Sequence, residues 1–115
     1  DGAALIVIAS AKNAQFPGRD APGPNAWHSF DAGSAWISMA LQAMHMGLVA
    51  HALAGFDPAK IRAATGLPEE FDINAVVVIG KQGDKSKLPE MLQAREAPND
   101  RKPLSAIAFE GKFSA

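Results

Sequence analysis

Residues Asp31–Phe56 read DAGSAWISMALQAMHMGLVAHALAGF, the longest stretch of the chain able to form one uninterrupted helix. Asp31 is placed to cap it, since a carboxylate there accepts from the free first-turn amides and complements the helix dipole. From Ala32 to Leu53 the apolar residues Ala32, Ala35, Trp36, Met39, Ala40, Ala43, Met44 and Met46 cover most of the circumference. Ser34, Ser38, Gln42 and His45 are the polar interruptions. A helix apolar nearly all round is either buried or crosses a membrane. Crossing takes about 20 predominantly apolar residues with suitable flanks. This stretch is rich in alanine rather than leucine, holds Gln42, His45 and His51, and lacks basic flanks, so burial is the reading. A chain of 115 residues can hardly bury such a helix alone, which predicts a dimer with the helix near its interface. Gly47 falls inside the run, where it costs about 1 kcal/mol relative to alanine. Close approach of another backbone, or room for a flat ligand, would account for it.

Outward from this stretch, Leu5–Ile8 is a continuous β-branched run that suits a strand covered on both faces. From Lys12 to Asn25 the prolines and glycines Pro17, Gly18, Pro22, Gly23 and Pro24 predict a loop. Asp57 and Pro58 open a short helix, which Gly66 and Leu67-Pro68 close. Glu69–Asn74 reads as a polar connection. Ala75–Gly80 (AVVVIG) is the clearest strand and is expected at the centre of the sheet. Lys81–Lys87 reads as a solvated turn, Leu88–Glu96 as a short helix begun at Pro89, and Ser105–Phe109 as a last strand.

Composition narrows the function. The length bounds the chain at one domain, 1–115. A start on an apolar strand points to the later part of a larger domain. The formal net charge of -1 argues against binding nucleic acid through bulk charge. With no cysteine there is neither a disulfide nor a thiolate metal site. No basic n-region marks a signal peptide, and the expected location is cytoplasmic, with no membrane partner. His45 and His51 fall on different faces of a helix, and no metal-type spacing links His28 to them. Asp84 stands where a phosphate loop needs glycine before its Lys-Ser pair, and a carboxylate there repels phosphate. No G-x-S-x-G elbow surrounds Ser34, and no G-x-G-x-x-G follows a strand.

Several pieces taken in order carry more. Asp31-Ala32-Gly33, Met46-Gly47-Leu48, Ala54-Gly55-Phe56-Asp57, Leu67-Pro68, Ala75–Gly80, Leu88-Pro89, Arg101-Lys102-Pro103-Leu104 and Phe109-Glu110-Gly111 follow one another along almost the whole chain. In their order and spacing they resemble the C-terminal half of the nitroreductase family of FMN-dependent oxidoreductases. The resemblance implies an α+β sandwich with a mainly antiparallel sheet and a long buried helix at a homodimer interface. It also implies FMN as cofactor, NADH or NADPH as electron donor, and nitroaromatics, quinones or related compounds as acceptors. The family's N-terminal helix and its basic phosphate-binding stretch have no match in this sequence.

Carried over by position, the turn Ala52-Leu53-Ala54-Gly55 would lie against the isoalloxazine ring of the flavoprotein, with backbone N–H groups facing flavin N5 or O4. Arg101 would hold the FMN phosphate, assisted by Lys102. Two other functions fit the same residues: a flavin-binding domain without turnover, and an interaction domain that docks its apolar helix on a partner.

Overall fold

A computed structural model describes residues 2–113. In chain order the elements are β1 (Ala4–Ala11), β2 (Asn13–Ala14), β3 (Gly23–Pro24), α1 (His28–His45), β4 (Val49–Leu53), α2 (Pro58–Thr65), β5 (Phe71–Gly80) and α3 (Glu90–Gln93). Single 3-10 turns lie at Lys85–Lys87 and Leu104–Ala106. The chain divides into two compact units, Asp1–Gln82 and Gly83–Ala115.

In the first unit β5 is the middle strand of an antiparallel three-stranded sheet, order β1-β5-β4. Its β-branched run is the reason: Val77 is fully buried and Val76 is 3% exposed. Leu53 and Val7 both stand opposite Val76, and Val49 stands opposite Gly80. The strand is longer than the sequence predicts. Phe71–Asn74, expected to be a connection, extends it and pairs with Ala9–Ala11. This antiparallel sheet with a helix on one face is the α+β arrangement expected.

Within Asp31–Phe56 the prediction of one helix fails. Helix α1 starts earlier, at His28, and Asp31 lies in its first turn rather than at the cap. The helix stops at His45 because Gly47 takes a left-handed conformation, φ 70°. The Gly47 N–H donates to Met44 O at 3.0 Å and the Leu48 N–H to Ala43 O at 2.9 Å. Those paired bonds satisfy carbonyls that the last turn would otherwise leave open. Gly47 is therefore a stop signal and not an interior glycine. Beyond it, Val49–Leu53 alternates exposed and half-buried residues, the period of a strand.

Helix α1 covers the sheet with the stripe Ala32, Trp36, Met39 and Ala43, packed on Ile6, Ile8, Val77 and Ile79. A single chain covers the helix on this face only. On the far side Phe30, Ile37, Leu41 and Met44 are 72%, 53%, 49% and 61% exposed. Their spacing forms a second helical stripe roughly opposite the first. Ser34 and Ser38 turn their hydroxyls back onto Phe30 O and Ser34 O, so this outer face offers little polar bonding. Among the described residues no helix is long and apolar enough to cross a membrane.

Helix α2 follows the sequence closely. The Asp57 carboxylate accepts from Ala59 N at 2.9 Å and Lys60 N at 3.3 Å, Pro58 occupies the first turn, and Gly66 ends the helix. Arg62 then fastens the corner into β5. Its guanidinium donates to Pro68 O at 2.6 Å, Phe71 O at 2.7 Å and Leu67 O at 3.3 Å.

In the second unit Asp84 caps the Lys85–Lys87 turn. Its carboxylate accepts from the Ser86 hydroxyl at 2.8 Å and the Ser86 N–H at 2.9 Å. The side-chain bond, then the backbone bond, holds it below the usual carboxylate range. Helix α3 is shorter than the expected Leu88–Glu96. The last strand expected at Ser105–Phe109 is absent: Leu104–Ala106 forms a 3-10 turn closed by local bonds from Ala106, Ile107 and Ala108. Apolar content without a hydrogen-bonded neighbour does not make a strand. Phe109 instead meets Phe113 edge to face, ring centres 4.8 Å apart.

Candidate functional site

Ala52 and Leu53 are the last residues of β4, and Ala54 and Gly55 run on past the end of the ladder. Ala54 and Gly55 are exposed. Among the described residues no turn or loop hydrogen bond engages the N–H of either one. Two adjacent backbone donors therefore project from a rigid strand end without an internal acceptor, an arrangement suited to a polar ligand edge.

Gly55 sharpens this. A Cβ built there meets nothing within 4 Å, and the residue has no positive φ. Neither its conformation nor the packing of this chain calls for glycine. The space beside Gly55 is open, and a residue without a Cβ lets another group come close to the backbone.

Arg101 and Lys102 lie in the second unit, in an exposed segment between α3 and the Leu104–Ala106 turn. Arg101 Nη1 hydrogen-bonds the side chain and backbone carbonyl of Asn99. Its other guanidinium donors are uncommitted among the described residues, which leaves a fork able to take an oxyanion. The four residues Ala52–Gly55 are thus brought together by the end of β4, while the basic pair belongs to a separate unit.

One polar cluster was not read from the sequence. The β1–β5 register slips between Ile8, opposite Ala75, and Ala9, opposite Ile73, leaving Asn74 as the extra residue of a β-bulge. Bulges re-aim side chains. Asn74 Oδ1 accepts from the Ser10 hydroxyl at 2.7 Å, and its amide donates to Ser29 Oγ at 3.4 Å. Ser10 Oγ also lies 2.8 Å from His28 Nδ1, and His28 Nε2 lies 3.8 Å from Asp72. Lys12 pairs with the other oxygen of Asp72 at 3.5 Å. The cluster occupies the end of the sheet at which β4 gives way to Ala54 and Gly55. It borders a hollow of about 300 Å³ lined in part by Ser10, Asn25, His28 and Asp31. The only sequence signal for it is a polar residue, Asn74, immediately before the apolar run of β5.

Comparison with known proteins places this geometry in context. An uncharacterized 15.4 kDa protein from the ask 5' region of Mycolicibacterium smegmatis is 37% identical over 84 residues, 72% of this chain and 56% of that protein. A crystal structure of an oxidoreductase containing FMN superposes with a TM-score of 0.88 at 40% identity, covering 96% of this chain and 55% of that one. A nitroreductase family protein from Clostridium difficile 630 shares the fold with a TM-score of 0.62 at 20% identity, covering 97% of this chain and 75% of its own. The chain thus spans little more than half the length of the first two. The sequence profile of the nitroreductase family matches residues 1–81, which take in the three-stranded sheet, α1 and the segment Ala54-Gly55 that stands where a turn was expected. Over that span, most of its length, this chain belongs to the nitroreductase family.

Proposed function

We propose that this chain is part of an FMN-dependent oxidoreductase. The observation that carries the reading is the likeness, at 40% identity over 96% of the chain, to an oxidoreductase whose structure contains FMN. The open N–H groups of Ala54 and Gly55 and the uncrowded Cα of Gly55 fit the edge and face of an isoalloxazine ring. When bound, FMN supplies the redox centre between NADH or NADPH and a nitroaromatic, quinone or similar acceptor.

The chain's own contribution is binding and orientation. Ala52 and Leu53 hold the end of β4 in the ladder, so that Ala54 and Gly55 present their donors from a fixed position. The guanidinium of Arg101 makes charge-assisted bonds to the FMN phosphate, and Lys102 adds a point charge. The outer stripe of α1, Phe30, Ile37, Leu41 and Met44, covers itself against a second copy in a homodimer. Its exposure supports that assignment. Gly33 lies near this stripe with open space around it, which allows a partner helix to come close.

The test is spectroscopic. The purified protein is expected to be yellow and to release FMN on denaturation, identified by mass. Anaerobic NADH or NADPH should bleach it, and a nitroaromatic or quinone should restore the colour. Flavin that NADH and NADPH do not bleach would make the chain a binder without turnover. Colourless protein with no affinity for added FMN would leave only the interaction domain. Sedimentation equilibrium should give twice the chain mass.

A further inference from the structure

We propose that His28 is a proton-operated latch that fastens the first turn of α1 to the bulged strand β5. The proposal is independent of the flavin reading and rests on a count of protons. Ser10 has one hydroxyl proton, and it is donated to Asn74 Oδ1 at 2.7 Å. Toward His28 Nδ1, 2.8 Å away, Ser10 Oγ therefore offers a lone pair. With the Ser10 proton so placed, the tautomer that suits this contact carries its hydrogen on Nδ1, the Ser29 hydroxyl being the more distant neighbour at 3.4 Å. A neutral imidazole has only one N–H, so its Nε2 is then bare. Yet Nε2 faces the Asp72 carboxylate at 3.8 Å, acceptor against acceptor.

A proton added at Nε2 removes that conflict. The imidazolium donates through Nδ1 to Ser10 and forms an ion pair with Asp72 across 3.8 Å from Nε2, and so joins β1, β5 and α1 in one network. The charged groups that face the ring are few. Asp72 on β5 is its partner, and Lys12, just past β1, shares that carboxylate at 3.5 Å. Asp31, on α1 itself, lines the same hollow. Asn25 on the preceding loop is neutral. His28 is only 18% exposed on its side chain, against 47% for Asp72, so the ring is held in place while its partner remains open to water. The Asp31 N–H, which donates to Trp27 O at 3.0 Å, closes the first turn of the helix and reports on the latch.

The experiment uses the 115-residue chain with histidine rings labelled with ¹⁵N. Long-range proton–nitrogen correlations follow the His28 titration, and hydrogen exchange gives protection factors for the first-turn amides across it. The neutral ring is expected as the Nδ1–H tautomer. Protection at Asp31 and Ala32 should be about two- to fivefold greater with the ring protonated, the range for a half-exposed ion pair. Asp72→Asn should abolish that difference while the neutral ring keeps its Nδ1–H. His28→Gln should abolish it as well, which separates the effect from titration of His45 and His51. An Nε2–H tautomer in the neutral ring overturns the proposal. So does equal protection in both protonation states, or a response that survives either substitution.

Discussion

The turn that ends α1 and the segment that follows β4 both hold a glycine, and the two glycines differ in setting. Gly47 has φ 70°, and its N–H closes the helix onto Met44 O. Gly55 has open space around it, no positive φ and no turn bond for its N–H among the described residues. Two arginines divide in the same way. Arg62 spends its guanidinium on the carbonyls of Leu67, Pro68 and Phe71, with Glu69 at 3.5 Å. Arg101 hydrogen-bonds only Asn99 among the described residues. One glycine and one arginine are explained by bonds within the chain; under the proposed function the other pair is kept for FMN. Residue type alone cannot distinguish the two situations, since the same residue is bonded within the fold in one place and left open in the other.

The arginines give the largest separation. Arg62→Ala strands three carbonyls that had a charged donor, and a hydrogen bond to a charged group contributes about 1.5–3 kcal/mol. Its unfolding free energy in urea should fall by about 2–3 kcal/mol. Arg101→Ala should leave that value within about 0.5 kcal/mol, as for an ordinary surface substitution. It should instead weaken FMN binding by roughly 1.5–3 kcal/mol. Unchanged FMN affinity by fluorescence titration would remove Arg101 from the phosphate site. A destabilised Arg101→Ala protein would place that residue with Arg62 and break the division.

How much of this the sequence could tell follows from the range over which each feature is decided. Strands β1 and β5 were legible because Leu5–Ile8 and Ala75–Ile79 are β-branched runs that suit no other element as well. Helix α2 was legible because Asp57-Pro58 and Gly66 are local start and stop signals. The division of Asp31–Phe56 was not. Alanine dominates it, and Val49-Ala50-His51-Ala52-Leu53 is compatible with both periods until Gly47 is seen to be left-handed. The assignment of Ala54-Gly55 rests on family resemblance, and the structure adds that this glycine has open space around it and no positive φ. The His28 cluster was out of reach for a different reason. Its bonds join residues 18 and 64 positions apart, and one partner, Asn74, is turned toward the others only by a bulge. No pattern in the sequence marks that register slip.

The glycines carry the smaller effects and the cleaner sign. Gly47→Ala puts a Cβ into a left-handed conformation, which costs about 1–2 kcal/mol. The urea midpoint should fall accordingly, with FMN affinity unchanged in the folded protein. Gly55→Ala should move stability the other way. No positive φ strains alanine there, and the space is open. The substitution then acts mainly by narrowing the unfolded ensemble, worth about 0.4–1 kcal/mol of stabilisation. If Gly55 is kept for a ligand, that gain in stability comes with a loss of binding. Losing the equivalent of one backbone hydrogen bond, about 1 kcal/mol, corresponds to roughly fivefold weaker FMN. A protein that gains stability and keeps its FMN affinity would show that nothing approaches Gly55 closely. The assignment of Ala54-Gly55 to the flavin face would then fail, even with the family membership and the fold unchanged.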